Sequence, residues 1–176
     1  AWSAAGTPSY HYIRAKEAGV KFITVDPIYT ASAQMLDAEW IPIRTGTDTA
    51  FLLGVASEMI RLDKAEGDIV DWEFLDKYTV GFDADHKPED LKEDVNFADY
   101  LEGKYDGVKH DAEWASAICG VPVEKIAWFA REIGKKKNVW LLHNFAAARC
   151  DACENVPQLF MTLGAMGGHM GKPGNC

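Results

Sequence analysis

The run Val20-Lys21-Phe22-Ile23-Thr24-Val25 constrains the fold more than any other stretch. It is β-branched and aromatic, lacks alternation, and stops on Asp26-Pro27. A strand of that character reads as buried on both faces of a parallel sheet, and Pro27 cannot continue its ladder. A second short strand, "EWIPI", follows, with Pro42 at its end or at a sheet edge. The stretch between the two runs and the "TGTD" that closes the second leave Asp26 and Asp48 just past apolar segments. An open α/β sheet presents its ligands at such strand ends.

Helical patterns separate and follow these strands. "SYHYIRAKEAG" predicts a short helix with Ser9 as cap and Gly19 as stop. "TAFLLGVASEMIRLDKA" repeats Phe51, Leu52, Val55, Met59, Ile60 and Leu62 at three- and four-residue intervals, with Asp48 or Thr49 as cap. "DWEFLDKYT" starts a shorter helix at Asp71, and "HDAEWASAICG" one between Asp111 and Gly120. "VPVEKIAWFAREIGKKK" puts Pro122 in a first turn and Ile126, Phe129, Ala130 and Ile133 on one face. "NVWLL" predicts a return to strand, and "CENVPQLFMTLGAMGG" a buried helix stopped by Gly167 and Gly168. Residues 80–96 are polar, acidic and punctuated by Pro and Gly, so they read as an exposed loop or insertion. Strands alternating with helices predict one layered α/β domain over residues 1–176, its sheet mainly parallel.

Charge removes several function classes. Against 18 basic residues stand 27 acidic ones, a net charge of −9, which opposes nucleic-acid and anionic-membrane partners. No apolar run reaches the roughly 20 residues that span a bilayer, and the start lacks the pattern of a signal peptide; the reading is of a soluble chain. Cys150 and Cys153 form a C-x-x-C, but only isolated Cys119 and Cys176 could complete a metal site. No metal ligand set is assigned. A thiol–disulfide role for the pair is the weakest of the readings weighed.

Other motifs fail on inspection. In "GAMGGHMGKPGN", a Walker loop would need glycine where Met166 stands and Ser or Thr where Pro173 stands, so the segment reads as a helix stop and a turn. The dinucleotide fingerprint G-x-G-x-x-G is absent. His11, His86, His110, His143 and His169 lack metal-ligand spacing and read mostly as surface or loop residues, with His143 and His169 nearer the ligand edge. Asp26 is either a turn former or a carboxylate accepting from a ribose hydroxyl. Asp48 is a helix cap or an acceptor for the N–H groups of a guanine edge, and the two roles are compatible. Arg149 suits either a surface ion pair or a phosphate or polar ring. No residue is assigned a catalytic role.

"VDPIYTASAQMLDAEWIPIRTGTDTAFLLGVASEMI", "FLDKYTVGFD", "EWASAICGVPVEKIAWFAREIG" and "LGAMGGHMGKPGN" together resemble the catalytic subunit of molybdopterin oxidoreductases of the dimethyl sulfoxide reductase family. The resemblance runs over nearly the whole chain in one order. It implies a Rossmann-like domain, one incomplete part of a larger multidomain subunit that binds bis(molybdopterin guanine dinucleotide) with molybdenum. By that likeness Val25, Asp26 and Pro27 line the guanosine, Gly46 and Asp48 contact it, and Arg149 sits nearer the diphosphate or pterin. Ile28 stands where the family usually has Arg, and "NFAAA" where it usually has Gly-x-x-Gln before the Arg.

The family's iron-sulfur cysteine cluster, molybdenum ligand and C-terminal pterin-gripping domain would lie outside residues 1–176, so the chain alone is expected to be inactive. The resemblance also implies an iron-sulfur electron-transfer subunit, a membrane anchor and export of the folded parent to a membrane-associated site in a bacterium. The competing reading is a non-catalytic nucleotide- or partner-binding module that keeps the fold without the cofactor.

Overall fold

The computed structural model describes residues 8–86, 95–135, 137–143, 149, 152 and 154–175. The chain divides into two compact units, Ala1–Thr45 and Gly46–Cys176. In the first, α1 (Pro8–Glu17) leads to β1 (Ile23–Val25), α2 (Ala31–Met35) and β2 (Glu39–Ile41). Proline opens α1 because a first-turn N–H would lack a partner anyway, and Ser9 therefore lies inside the helix rather than capping it. Gly19, at φ +87°, ends it, with the Val20 N–H reaching back to the Ala15 carbonyl at 3.0 Å.

β1 and β2 pair in parallel, with Ile23 opposite Glu39, Thr24 opposite Trp40 and Val25 opposite Ile41. The parallel arrangement agrees with the sequence, and Pro42 falls immediately after β2. The strand itself is a correction. Only three residues of the expected run are strand, and all three are half-buried rather than enclosed on both faces. Among the described residues the sheet has two strands. The core of this unit is small: Ala33, Leu36 and Ala38, with Tyr12 and Phe22 packed against them.

The second unit is organised around α3 (Asp48–Glu66), which touches α6 (Ala112–Cys119), α7 (Val123–Glu132) and α8 (Asn155–Met166). Three neighbours around one helix require apolar residues on most of its circumference. Phe51, Leu52, Leu53, Val55, Ala56, Met59 and Leu62 are all buried, while Ile60 is only half-buried. Gly54 is where α6 comes closest: a Cβ there would collide with the Ala115 methyl. Asp71 caps α4 (Trp72–Tyr78) through the Phe74 N–H at 3.2 Å, and Asp111 caps α6 through the Trp114 N–H at 3.0 Å, as expected. Gly120 stops α6 in the left-handed conformation. Pro122 occupies the cap of α7 rather than its first turn.

Three sequence expectations change here. A short helix α5 (Phe97–Leu101) begins on Asn96, whose side chain accepts from the Asp99 N–H. Phe82 and Asn96 are 5% and 3% exposed, so both described ends of the expected loop are anchored; residues 87–94 lie outside the described residues. Residues 138–143 form no strand.

Candidate functional site

The candidate residues fall into both units. At the carboxyl end of β1 the chain leaves the sheet through Asp26, whose N–H still donates to the Ile41 carbonyl at 3.2 Å. Asp26 Oδ1 accepts the Ile28 N–H at 2.9 Å, closing a turn around Pro27. Trp40 Nε1–H donates to the Asp26 carbonyl, also at 2.9 Å, and the Trp40 ring lies 5.6 Å from that of Tyr29. Thr30 Oγ1 then accepts the Ala33 N–H at 3.2 Å and starts α2. The D-P-x-x-T spacing thus joins a turn to a helix cap.

Three hydrogen bonds fix the Asp26 backbone and one carboxylate oxygen, while Oδ2 has no protein partner among the described residues. Val25 and Asp26 are half-buried, and Pro27 is exposed. Ile28 is exposed by 66%, an apolar side chain with nothing packed over it. The role of Trp40 was not legible by spacing, because cross-strand pairing with Thr24 is what brings it to the turn.

In the second unit, Gly46 adopts φ +77° at an exposed bend, with open space where a side chain would stand. Thr47 is the cap of α3 and makes no side-chain cap hydrogen bond. Asp48 is therefore the first helical residue, correcting its expected role as cap. Its charge in the first turn complements the positive end of the helix. The N–H groups of Asp48, Thr49 and Ala50 meet no backbone acceptor among the described residues. Arg149 is exposed; its neighbours 144–148, 150 and 151 lie outside the described residues, as does Cys153.

The histidines depart from a surface assignment. His110 and His169 are 3% and 1% exposed. His110 makes a 2.9 Å bond to the Tyr100 carbonyl and stacks on the Tyr100 ring. His169 Nε2–H donates to the Ile133 carbonyl at 2.8 Å, and Asn175 approaches its Nδ1 at 3.3 Å. Burial pushes the His169 pKa below the ordinary imidazole value, which keeps a neutral, structural ring. The glycine-rich tail is a helix stop and turn: Gly168, at φ +63°, lies so close to Asp71 that a Cβ would collide with the carboxylate. Lys135 and Lys172 approach that carboxylate at 3.4 and 3.6 Å. Among the described residues no group of three His, Cys, Asp or Glu side chains is arranged to hold a metal ion, and Cys119 is buried, forms no disulfide and accepts the Val121 N–H at 3.4 Å.

A parallel pair with an acid-bearing turn at its carboxyl end, joined in sequence to a helical unit, defines an α/β segment. No protein-family model matches it. Individual proteins do. The chain is 34% identical over 175 residues to trimethylamine-N-oxide reductase of Haemophilus influenzae, spanning 99% of this chain and 19% of that protein. Dimethyl sulfoxide reductase DmsA of Escherichia coli is 35% identical over 171 residues, 96% of this chain and 20% of the relative. Biotin sulfoxide reductase of Cereibacter sphaeroides is 32% identical over 179 residues, 99% and 22% respectively. Among solved structures, acetylene hydratase from Pelobacter acetylenicus superposes with a TM-score of 0.70 over 93% of this chain and 19% of that one, at 21% identity, a likeness of fold. The chain belongs to the dimethyl sulfoxide reductase family and spans about a fifth of the length of the curated relatives it matches.

Proposed function

We propose that this segment is part of the cofactor scaffold of a molybdenum-dependent oxidoreductase and grips the guanosine end of a molybdopterin guanine dinucleotide. The observation that carries this reading is the Asp26 turn, fixed at the carboxyl end of a parallel pair with one carboxylate oxygen left to accept. A ribose hydroxyl suits that oxygen: it is a neutral donor, so no second negative charge is brought to the acid. Val25 and Pro27 flank it. Gly46 lets the backbone approach the nucleoside without a side chain in between, and Asp48 accepts from the guanine edge. The first-turn N–H groups of α3 and the Arg149 fork serve the diphosphate or pterin.

In the whole enzyme the bound molybdenum cofactor supplies oxygen-atom transfer, from a sulfoxide or an amine oxide by analogy with the relatives' names. The residues of this chain bind and orient, and the chain alone performs no turnover. An iron-sulfur electron-transfer subunit, a membrane anchor and export of the folded parent complete the reading. No helix among the described residues is long and apolar enough to cross a membrane, so attachment would come through partner subunits.

Exposed Ile28, in place of a polar contact, favours the second reading of a binding module without the cofactor. Full-length protein purified from an anaerobic host separates them. The proposal expects molybdenum by elemental analysis and guanosine monophosphate on acid hydrolysis, both near stoichiometric with the polypeptide. Protein devoid of both supports the module instead.

A further inference from the structure

Asp83 folds the chain that follows it back on itself. Its Oδ1 accepts the backbone N–H groups of Asp85 and His86, both at 3.1 Å, a turn that short acidic side chains close readily. The turn brings the His86 ring to the same carboxylate, with Nδ1 2.7 Å from Oδ1. On its other side the ring reaches α4, where Nε2 lies 2.6 Å from Asp76 Oδ1. Helix and turn together line a cavity of about 430 Å³ with Trp72, Glu73, Leu75, Asp76, Asp83 and His86. The same turn carries the start of α5, whose Phe97 and Ala98 N–H groups donate to the Gly81 and Phe82 carbonyls at 3.0 and 2.9 Å. Phe82 anchors one end of the turn between the Trp72 and Phe97 rings, 5.9 Å from each. His86 fastens the other end.

We propose that His86 is a proton-operated clasp: charged, it holds the 81–86 turn and the start of α5 on α4, and neutral, it releases Asp76 and opens the cavity between them. A carboxylate only accepts, so each ring nitrogen needs its own hydrogen, and an imidazole carries two only as the cation. Glu73 and Asp76 from α4 and Asp83 from the turn line the same cavity, and all three favour that charge. The His86 pKa is raised accordingly, with the Asp83 hydrogen bond as the largest cause. Loss of the proton leaves one N–H for two acids. Asp83 keeps it, because backbone bonds already hold that carboxylate against the His86 turn. Asp76 comes from another element with its side chain 69% exposed, so a lone pair at Nε2 turns it out to water. This inference does not depend on the nucleotide reading.

Hydrogen exchange on the full-length subunit at about pH 6 and about pH 9, corrected for the intrinsic pH dependence of amide exchange, tests it. The amides of Gly81, Phe97 and Ala98 are expected to lose about three- to tenfold in protection at the higher pH, while the α3 amides lose none. His86→Arg stays charged and is expected to keep the low-pH protection at both values. Asp76→Asn removes the carboxylate that the neutral ring repels and is expected to flatten the response. Should a variant lose protection throughout α3, the wild-type comparison still decides. Equal protection of the three amides at both pH values in the wild-type subunit overturns the proposal. So does a response shared equally by α3, or one undiminished in folded Asp76→Asn.

Discussion

The two units are held by different forces. In Gly46–Cys176, α3 is enclosed by three helices and its large side chains are almost wholly withdrawn from water. In Ala1–Thr45 the buried apolar side chains among the described residues are Ala33, Leu36, Ala38, Ile41 and Ile43, two of them alanines. There the important turn is held by directional bonds from the Ile28 amide and the Trp40 indole. The difference teaches that the helical unit is sensitive to volume, while the turn carrying Asp26 is sensitive to single polar atoms.

The sharpest way to break that contrast is to remove volume from the helical unit. Phe51, 2% exposed and 5.4 Å from the Phe129 ring, is expected to cost about 3–5 kcal/mol as Phe51→Ala, read from the urea midpoint. A loss under about 1 kcal/mol would show that α3 is not the load carried by this core. Adding volume comes next. Gly54→Ala drives a methyl into Ala115 and is expected to cost about 1–3 kcal/mol by the same measurement, despite alanine's better helix propensity.

In the strand unit the expected effect is smaller and local. Trp40→Phe keeps a ring against Tyr29 but deletes the indole donor to Asp26, at about 0.5–1.5 kcal/mol. Faster exchange of the Ile28 amide with unchanged α3 amides sharpens the comparison; a change spread through α3 breaks it. The smallest effect is a pH response on the surface of the helical unit. Asp83, accepting from His86 Nδ1–H at 2.7 Å, and Asp76, accepting from Nε2–H at 2.6 Å, raise the His86 pKa above the ordinary 6.5. A raised folded-state pKa stabilises fully below the unfolded value and fades as pH climbs through the folded one. Exchange in residues 80–86 should therefore quicken with pH across that window beyond the intrinsic rate, and His86→Gln should abolish the excess.

Much of this was legible because it is local. Asp71 and Asp111 announce helix starts, Gly120 a stop, and the spacing of Phe51, Val55, Met59 and Leu62 the buried helix. Asp26-Pro27 announces its own turn, since the bond that closes it spans two residues. What depends on distant partners was not legible. "NVWLL" has strand composition, but a strand exists only when another pairs with it. His169 looked like a loop residue until the Ile133 carbonyl, far away in sequence, explained its burial. Asp48 was misread by one position because Thr47 occupies the cap without a side-chain bond. Asn96 and Asp99 did carry a capping signal for α5, obscured by the acidic stretch before it.

The most direct test of the account is Asp26→Asn in the full-length subunit, measured as guanine nucleotide retained per polypeptide after extended dialysis. Asparagine can keep the Oδ1 acceptor that closes the turn on Ile28 while replacing the free oxygen by a donor. Loss of one charge-assisted bond, about 1.5–3 kcal/mol, is expected to weaken nucleotide binding about ten- to a hundredfold and empty the dialysed protein. Retention equal to wild type, with the turn's amide exchange unchanged, would contradict the assignment of Asp26 to the nucleoside.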